Sequence, residues 1–112
     1  MASKTLIAAS TRPLILAILA GGEDYGYSII RKVKILSRGH LEWTDGMLYP
    51  VLQRMEMDGL ISSAWKLPSG QRPRRYYTIT DRGRRELEKE LASWRNVWKA
   101  LARLAEALPA GE

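Results

Sequence analysis

The sequence contains no cysteine and only one histidine. The absence of cysteine excludes disulfides, thiolate nucleophiles and cysteine-based zinc sites. His40 stands in an Arg38-Gly39-His40 segment that we predict to be exposed, and the chain has no nucleophile-elbow motif on which a serine triad could be built. We therefore expect a protein that is not an enzyme and that holds no metal or other cofactor.

Long apolar runs are also missing. The longest uncharged apolar stretch, Pro13–Ala20, is far shorter than the roughly 18 residues of a membrane span, and the N-terminal residues show no signal-peptide cleavage pattern. With 46% hydrophobic residues among 112, the chain can fill one core. These features predict one compact cytoplasmic domain, with at most one extended element and no membrane partner.

The positive charge is concentrated in one segment. Residues 62–85 hold seven of the 18 basic residues and one of the 12 acidic residues, so this window carries the whole net charge of +6. Localised positive charge favours a polyanionic partner, because each neutralised phosphate releases condensed counterions. The alternative is a solvated basic surface without a ligand.

Two helices are predicted in the first third of the chain. A short helical arm over residues 3–9 precedes a helix that begins near Thr11–Pro13, since threonine caps helices and proline is tolerated in the first turn. Gly21-Gly22 ends this helix. The second helix runs from about Tyr25 to Leu36, and its apolar residues recur at three-residue steps: Tyr27, Ile30 and Val33.

A third helix is signalled by Thr44-Asp45, a capping residue followed by an acid in the first turn. Gly59 is expected to be the left-handed residue after its end. Pro50 is difficult to place, because proline removes a backbone donor and usually kinks a helix; either the first turn is irregular or the regular helix starts closer to Tyr49. The predicted inward stripe comprises Leu48, Val51, Leu52 and Met55.

The apolar period then changes from that of a helix to two. Alternation over residues 61–67 predicts a strand with one buried face, and alternation over 74–79 predicts a returning strand. The turn-forming cluster over 68–73 joins them into a hairpin with a polar tip. The apolar rows of the two strands are Ile61, Ser63, Trp65 and Leu67, and Arg75, Tyr77 and Ile79.

A long last helix is predicted from Thr80-Asp81 to Pro109 and Gly111. Its apolar residues recur at alternating steps of four and three, the spacing of a coiled-coil seam. We expect Leu87 and Leu91 to pack on their own domain, but a small domain cannot cover the distal half, so a two-fold homodimer is predicted. The alternative is a helix that folds back entirely on its own domain. The predicted dimer contacts are Leu91, Trp94, Trp98, Leu101, Ala105 and Leu108.

Three short helices followed by a hairpin is the order of a winged helix-turn-helix. The predicted fold class is therefore mainly α with a small β-hairpin and a long C-terminal dimerisation helix. Such proteins place a recognition helix in the major groove of DNA, and a basic wing suits the backbone or a minor groove. The candidate DNA-binding residues are Thr44, Gly46, Tyr49, Gln53 and Arg54 on the third helix, and Lys66, Gln71, Arg72, Arg74 and Arg75 on the wing.

Four segments in order resemble the PadR family of transcriptional regulators. They are Tyr25-Gly26-Tyr27, residues 44–52 (TDGMLYPVL), 55–61 (MEMDGLI) and 74–83 (RRYYTITDRG). The resemblance covers roughly residues 10–108 and implies a homodimeric repressor of the short subfamily, with Pro50 inside the third helix. It also implies DNA contacts at Thr44, Gly46, Tyr49, Gln53 and the wing basics. Because some short members bind flat apolar compounds between their dimer helices, Trp94 and Trp98 become candidate effector-binding residues.

We expect a winged-helix DNA-binding domain over residues 1–80, a dimerisation helix over 81–108 and a tail over 109–112. The leading hypothesis is a homodimer that binds double-stranded DNA and occludes a promoter, with a small aromatic effector as a further partner. Two rival hypotheses remain open. One is a module whose long helix docks on another protein and whose basic patch is incidental; the other is a small-molecule-binding protein that uses the apolar dimer groove.

Overall fold

The computed structural model describes residues 4–108. It confirms the predicted order of three helices, a hairpin and a long helix, and therefore a mainly helical fold with a small sheet. Pro109 and Gly111, predicted to end the last helix, lie outside the described residues. The predicted tail lies outside them as well. The elements are α1 Lys4–Ala20, β1 Asp24–Tyr25, α2 Gly26–Leu36, α3 Asp45–Met57, β2 Ile61–Lys66, β3 Arg74–Ile79 and α4 Asp81–Ala107.

The first helix is continuous, so the prediction of a separate arm and a new start near Thr11 is wrong. Thr11 is buried, and its hydroxyl donates to the carbonyl oxygen of Ile7 at 2.6 Å. A threonine that bonds back one turn is satisfied inside a helix and does not have to serve as its cap. Pro13 lies within α1 and costs it one backbone hydrogen bond.

The core lies where α1, α2 and α3 meet the base of the hairpin. The inward stripe of α3 is confirmed, with Val51 at its edge. On α2, Tyr27 stands in the predicted apolar row but its side chain is 61% exposed, whereas Ile29, which is not in that row, is buried together with Val33. The buried apolar residues are Ile15, Leu16, Leu19, Ile29, Val33, Trp43, Leu48, Leu52, Met55, Leu60, Ile61, Tyr77, Ile79 and Leu87.

The hairpin belongs to a three-stranded antiparallel sheet with the order β1-β3-β2. Strands β2 and β3 pair in register from Ile61 opposite Ile79 to Lys66 opposite Arg74. Only the base of the hairpin is buried. Trp65 is 68% exposed and Leu67 is also exposed, which contradicts the buried face predicted there, because this end of the hairpin projects beyond the helices as a wing.

Both predicted threonine caps are confirmed. The Thr44 side chain accepts a hydrogen bond from the Met47 N–H at 3.2 Å, and the Thr80 side chain accepts one from the Gly83 N–H at 3.0 Å. Gly59 has a φ of 77°, the left-handed conformation expected after α3. Pro50 lies inside α3, as the family resemblance implies.

Gly83 joins the first turn of α4 to the rest of the core. A methyl group there would overlap the carbonyl oxygen of Leu60 and approach Ile79 Cγ1 to 2.8 Å. We expect Gly83→Ala to lower the free energy of unfolding by about 1–3 kcal/mol, because a backbone oxygen cannot move aside.

Gly46→Ala is the matched control, since Gly46 also lies in the first turn of a threonine-capped helix. Outside the backbone of the helix and the two neighbouring residues, the nearest atom to a methyl group there is Thr44 Oγ1 at 4.0 Å, so the free energy of unfolding should rise by up to about 1 kcal/mol. Urea unfolding followed by circular dichroism measures both; equal changes would contradict the packing described here.

The last helix has 27 residues and extends well beyond the core, so that the described chain measures 58 × 28 × 21 Å. Its first half packs against α1, and only Gly83 and Leu87 are buried along it. None of the helices within residues 4–108 combines the length and apolarity needed to cross a membrane.

Candidate nucleic-acid interface

The outer face of α3 carries the residues predicted for base and phosphate contact. Leu48, Leu52 and Met55 are fully buried on the opposite face, which leaves the predicted residues exposed. Apart from its two chain neighbours and the backbone of its own helix, no described atom comes closer than 4.0 Å to a methyl group built on Gly46. The packing of this chain therefore gives no reason for a glycine at that position, whereas an external surface lying against α3 would. The exposed set is Thr44, Gly46, Tyr49, Gln53 and Arg54.

Arg54 differs from the other four because it has an acidic partner. Its Nε lies 3.6 Å from the Asp58 carboxylate, which also accepts a hydrogen bond from Arg12 Nη2 at 3.2 Å. Exposed pairs of this kind are weak, so Arg54 can exchange Asp58 for a phosphate. The pairing still reduces the positive potential at this end of α3.

The predicted basic residues of the wing fall into two groups, those that pair with a carboxylate and those that do not. Lys66 forms an ion pair with Glu23. Arg75 donates from Nε to Ser63 Oγ at 2.9 Å and from Nη2 to the Glu56 carboxylate at 3.2 Å. Arg72 and Arg74 have no ion pair within residues 4–108, and Gln71 and Arg72 lie exposed at the tip. The available positive charge of the wing is therefore mainly that of Arg72 and Arg74.

A cleft of about 530 Å³ separates the wing from the start of α2 and from α3. Arg74 is one of its lining residues, and the Arg74 guanidinium lies 4.4 Å from the centre of the Tyr25 ring. Gly26 is packed so closely against the Tyr49 ring that a methyl group there would overlap the Tyr49 hydroxyl. The residues that line this cleft are Tyr25, Gly26, Tyr27, Tyr49, Trp65, Pro73, Arg74, Arg75 and Tyr77.

The sequence did not indicate this cleft. From the sequence, Tyr25-Gly26-Tyr27 is the start of a helix and a point of family resemblance, and Tyr77 is part of a strand. The cleft depends on strand β1, which the sequence pattern does not reveal. This strand pairs Asp24 with Tyr77 and Tyr25 with Tyr76. This two-residue strand brings the start of α2 alongside the wing, and two residues are too few to show a period of two.

Two tyrosines in the cleft hold their protons more tightly than usual. Burial raises the pKa of Tyr49 above 10.0, and the Asp45 carboxylate raises it further. Burial also raises the pKa of Tyr77, an effect that Arg75 opposes and that Tyr49 and Glu56 reinforce. Both hydroxyls are therefore neutral hydrogen-bond donors near neutral pH, and they can approach an anion without charge repulsion.

These shifts predict a loss of stability in alkaline solution. The folded protein holds the two phenolic protons more tightly than the unfolded chain, so their contribution is fully present below a pH of about 10 and is lost as the pH rises through the raised pKa values. Ultraviolet absorbance of phenolate should show part of the signal ionising late. Tyr49→Phe and Tyr77→Phe should each remove some of that late fraction; variants that remove none would contradict the shifts.

The predicted dimer residues follow one side of α4. Trp94 is half-buried in an apolar groove of about 420 Å³ between α4, α1 and the loop after α2. Leu91 lines the same groove and is 39% exposed. Beyond Trp94, Trp98 is 69% and Leu101 54% exposed, and Ala105 and Leu108, which is the residue after the end of α4, are exposed as well. Within the described residues no group of three histidine, aspartate or glutamate side chains is placed to hold a metal ion.

Comparison with known proteins gives a consistent family. The chain is 30% identical to a PadR-like transcriptional regulator from Bacillus cereus, with a TM-score of 0.81 over 97% of this chain and 100% of that one. It is 25% identical to a transcriptional regulator from Clostridium thermocellum, with a TM-score of 0.82 over 92% and 97% of the two chains. A protein of Lysinibacillus sphaericus, which has no assigned function, is 26% identical over 85% of this chain and 87% of its own.

The transcriptional regulator PadR-like family matches residues 15–89. This range begins in α1 and ends in the first turns of α4, so it includes α3, the wing and the cleft between them. As its sequence motifs indicated, the chain belongs to the PadR-like family of transcriptional regulators and is a regulator rather than an enzyme.

Proposed function

We propose that the protein is a homodimeric repressor that binds specific sites in double-stranded DNA in the cytoplasm and blocks transcription by occupying promoters. The observation that carries this proposal is the convergence of α3 and the wing on one cleft, which is lined by Tyr49 from α3 and by Arg74 from the wing. A recognition helix in the major groove and a wing over the adjacent backbone require this arrangement. Base contacts from Gln53 and Tyr49 would supply specificity, and Arg72 and Arg74 would bind phosphates.

A second copy of the chain is the proposed partner of α4. The exposed seam repeats at steps of four and three, which is the pattern that two identical helices bury against each other. The groove beside Trp94 is almost purely apolar, so an apolar helix suits it better than a charged ligand does. Two-fold pairing would also present two copies of α3 to a palindromic site.

Selection of bound duplexes from a random pool tests sequence-specific binding. The purified chain should enrich a palindromic sequence, and the logarithm of its affinity should fall linearly with the logarithm of the salt concentration. In vitro transcription from a promoter that overlaps the enriched site should decrease when the protein is added. If no duplex is retained at low salt, the rival hypothesis of a protein-interaction module is favoured.

We also propose that a small aromatic effector relieves repression, and that Trp94 and Trp98 bind it. Both lie on the seam side of α4, and Trp94 borders an apolar groove. A planar aromatic compound should quench tryptophan fluorescence in the parent chain and in Trp65→Phe, which alters the wing, but less in Trp94→Ala or Trp98→Ala. Equal quenching in all four proteins would contradict this site.

A further inference from the structure

We propose that the start of α2 and the hydroxyl of Tyr77 form a seat for one phosphodiester of the DNA backbone. The inference rests on the proposed function and adds a contact that neither α3 nor the wing tip provides. Tyr49 and Arg74 complete the seat from the two sides of the cleft.

The first turn of α2 has donors to offer. Tyr25 occupies the N-cap position in an extended conformation, and no side chain caps the helix. The first N–H groups of a helix have no partner within the helix, and with the helix dipole they attract anions. With 11 residues, α2 is long enough for this effect. The only described carboxylate in β1, Asp24, is buried, accepts a bond from the Tyr25 N–H and pairs with Lys32 at 2.8 Å, so its charge is already compensated.

The hydroxyl of Tyr77 is a second feature, separate from the start of α2, that points to a ligand in the cleft. The residue is only 4% exposed, yet its hydroxyl has no hydrogen-bond partner within residues 4–108. Buried hydroxyls are almost always bonded, because an unmade bond is costly. The oxygen is not one of the fully enclosed polar atoms, and Tyr77 lines the cleft. The hydroxyl therefore reaches solvent through the cleft and can donate to a ligand that enters it.

The position of the cleft identifies the ligand. A recognition helix and a wing that enter neighbouring grooves have one sugar–phosphate strand between them. In this molecule the space between α3 and the wing is the cleft, and the start of α2 is part of its lining. Its donors are neutral hydroxyls, backbone N–H groups and the Arg74 guanidinium, which suit a singly charged phosphodiester.

Tyr77→Phe is the direct test, because it removes the hydroxyl and keeps the ring. The affinity of the variant dimer for the selected palindromic duplex should fall about a hundredfold, because each of the two half-sites loses one hydrogen bond to a charged group and one such bond is worth about tenfold. The thermal midpoint of the free protein should be unchanged or higher, since the lost hydroxyl had no partner. Tyr76→Phe is the matched control: Tyr76 lies next to Tyr77 on β3 but does not line the cleft, and its affinity should stay within about twofold of the parent's.

A scan with uncharged methylphosphonates, placed one at a time along the duplex, locates the contact. At one position in each half-site the substitution should weaken the parent about tenfold more than it weakens Tyr77→Phe, because a single methylphosphonate removes the bond of that half-site, which the variant has already lost. Equal losses for the two proteins at every position, or a lower thermal midpoint of Tyr77→Phe, would overturn the seat and leave DNA binding intact. A parent chain that binds no duplex would overturn the proposed function as well.

Discussion

Leu101→Glu is expected to convert the dimer into a monomer and to abolish tight binding to a palindromic duplex. Leu101 lies on the exposed seam of α4, where the proposed two-fold axis brings two copies together. The substitution would place two carboxylates in an apolar interface, and burying unpaired charge costs several kcal/mol. The dissociation constant of the dimer should therefore rise at least about a hundredfold. Sedimentation velocity over a range of concentrations measures the change.

Asn96→Glu is the control for this substitution. It introduces the same side chain on the same exposed helix, but two residues away from the nearest seam position and on the opposite side of the heptad. It should leave the dimer intact. If both variants weaken association equally, net charge rather than the seam controls assembly; if neither does, α4 is not the interface.

Removing the two unpaired wing arginines, with Arg72→Ala and Arg74→Ala together, is expected to weaken binding to every duplex about a hundredfold at low salt. Each phosphate contact contributes about 0.9 to the slope of log affinity against log salt, so a dimer that loses two contacts per copy should lose between three and four units of slope. Sequence preference should persist, because these side chains are assigned to phosphates. Fluorescence anisotropy at several salt concentrations gives the slope.

Lys89→Ala with Arg103→Ala provides a charge-matched comparison on the outer side of α4. It removes the same charge far from the wing and should reduce the slope much less. Arg75→Ala should behave differently from the wing pair, since Arg75 is bonded to Glu56 and Ser63 and its removal leaves Glu56 uncompensated near the DNA. An unchanged slope in the Arg72 and Arg74 double variant would contradict the role of the wing.

The sequence was sufficient for the elements whose signals are local. Thr44 and Thr80 were recognised as caps because a capping side chain needs only the next turn of its own helix, and both make that bond. Burial was harder to predict where it depends on distant parts of the chain. Residues 61–67 do alternate as a strand should. Whether Trp65 is buried depends, however, on how far the hairpin projects beyond the helices, and a local sequence pattern does not determine that distance.

In the candidate site, too, local features could be predicted and features that depend on distant parts of the chain could not. The basic residues of the wing could be identified from composition, whereas their partners could not, because Glu23 and Glu56 reach Lys66 and Arg75 only through the packing of α2, α3 and the sheet. Tyr77 was predicted as an ordinary strand residue. The unpaired hydroxyl of Tyr77 can be recognised as a candidate ligand contact only when the cleft is known. The cleft forms through the pairing of β1 with β3, which is a consequence of tertiary structure.

In the proposed complex two chains act together on one duplex, joined through α4 and bound through α3 and the wing. Sedimentation equilibrium of the parent chain mixed with a labelled duplex that carries the selected palindrome tests it most directly. We expect a free dimer and a complex of two chains per duplex. A chain that stays monomeric, and that does not sediment with the duplex at low salt, would contradict it.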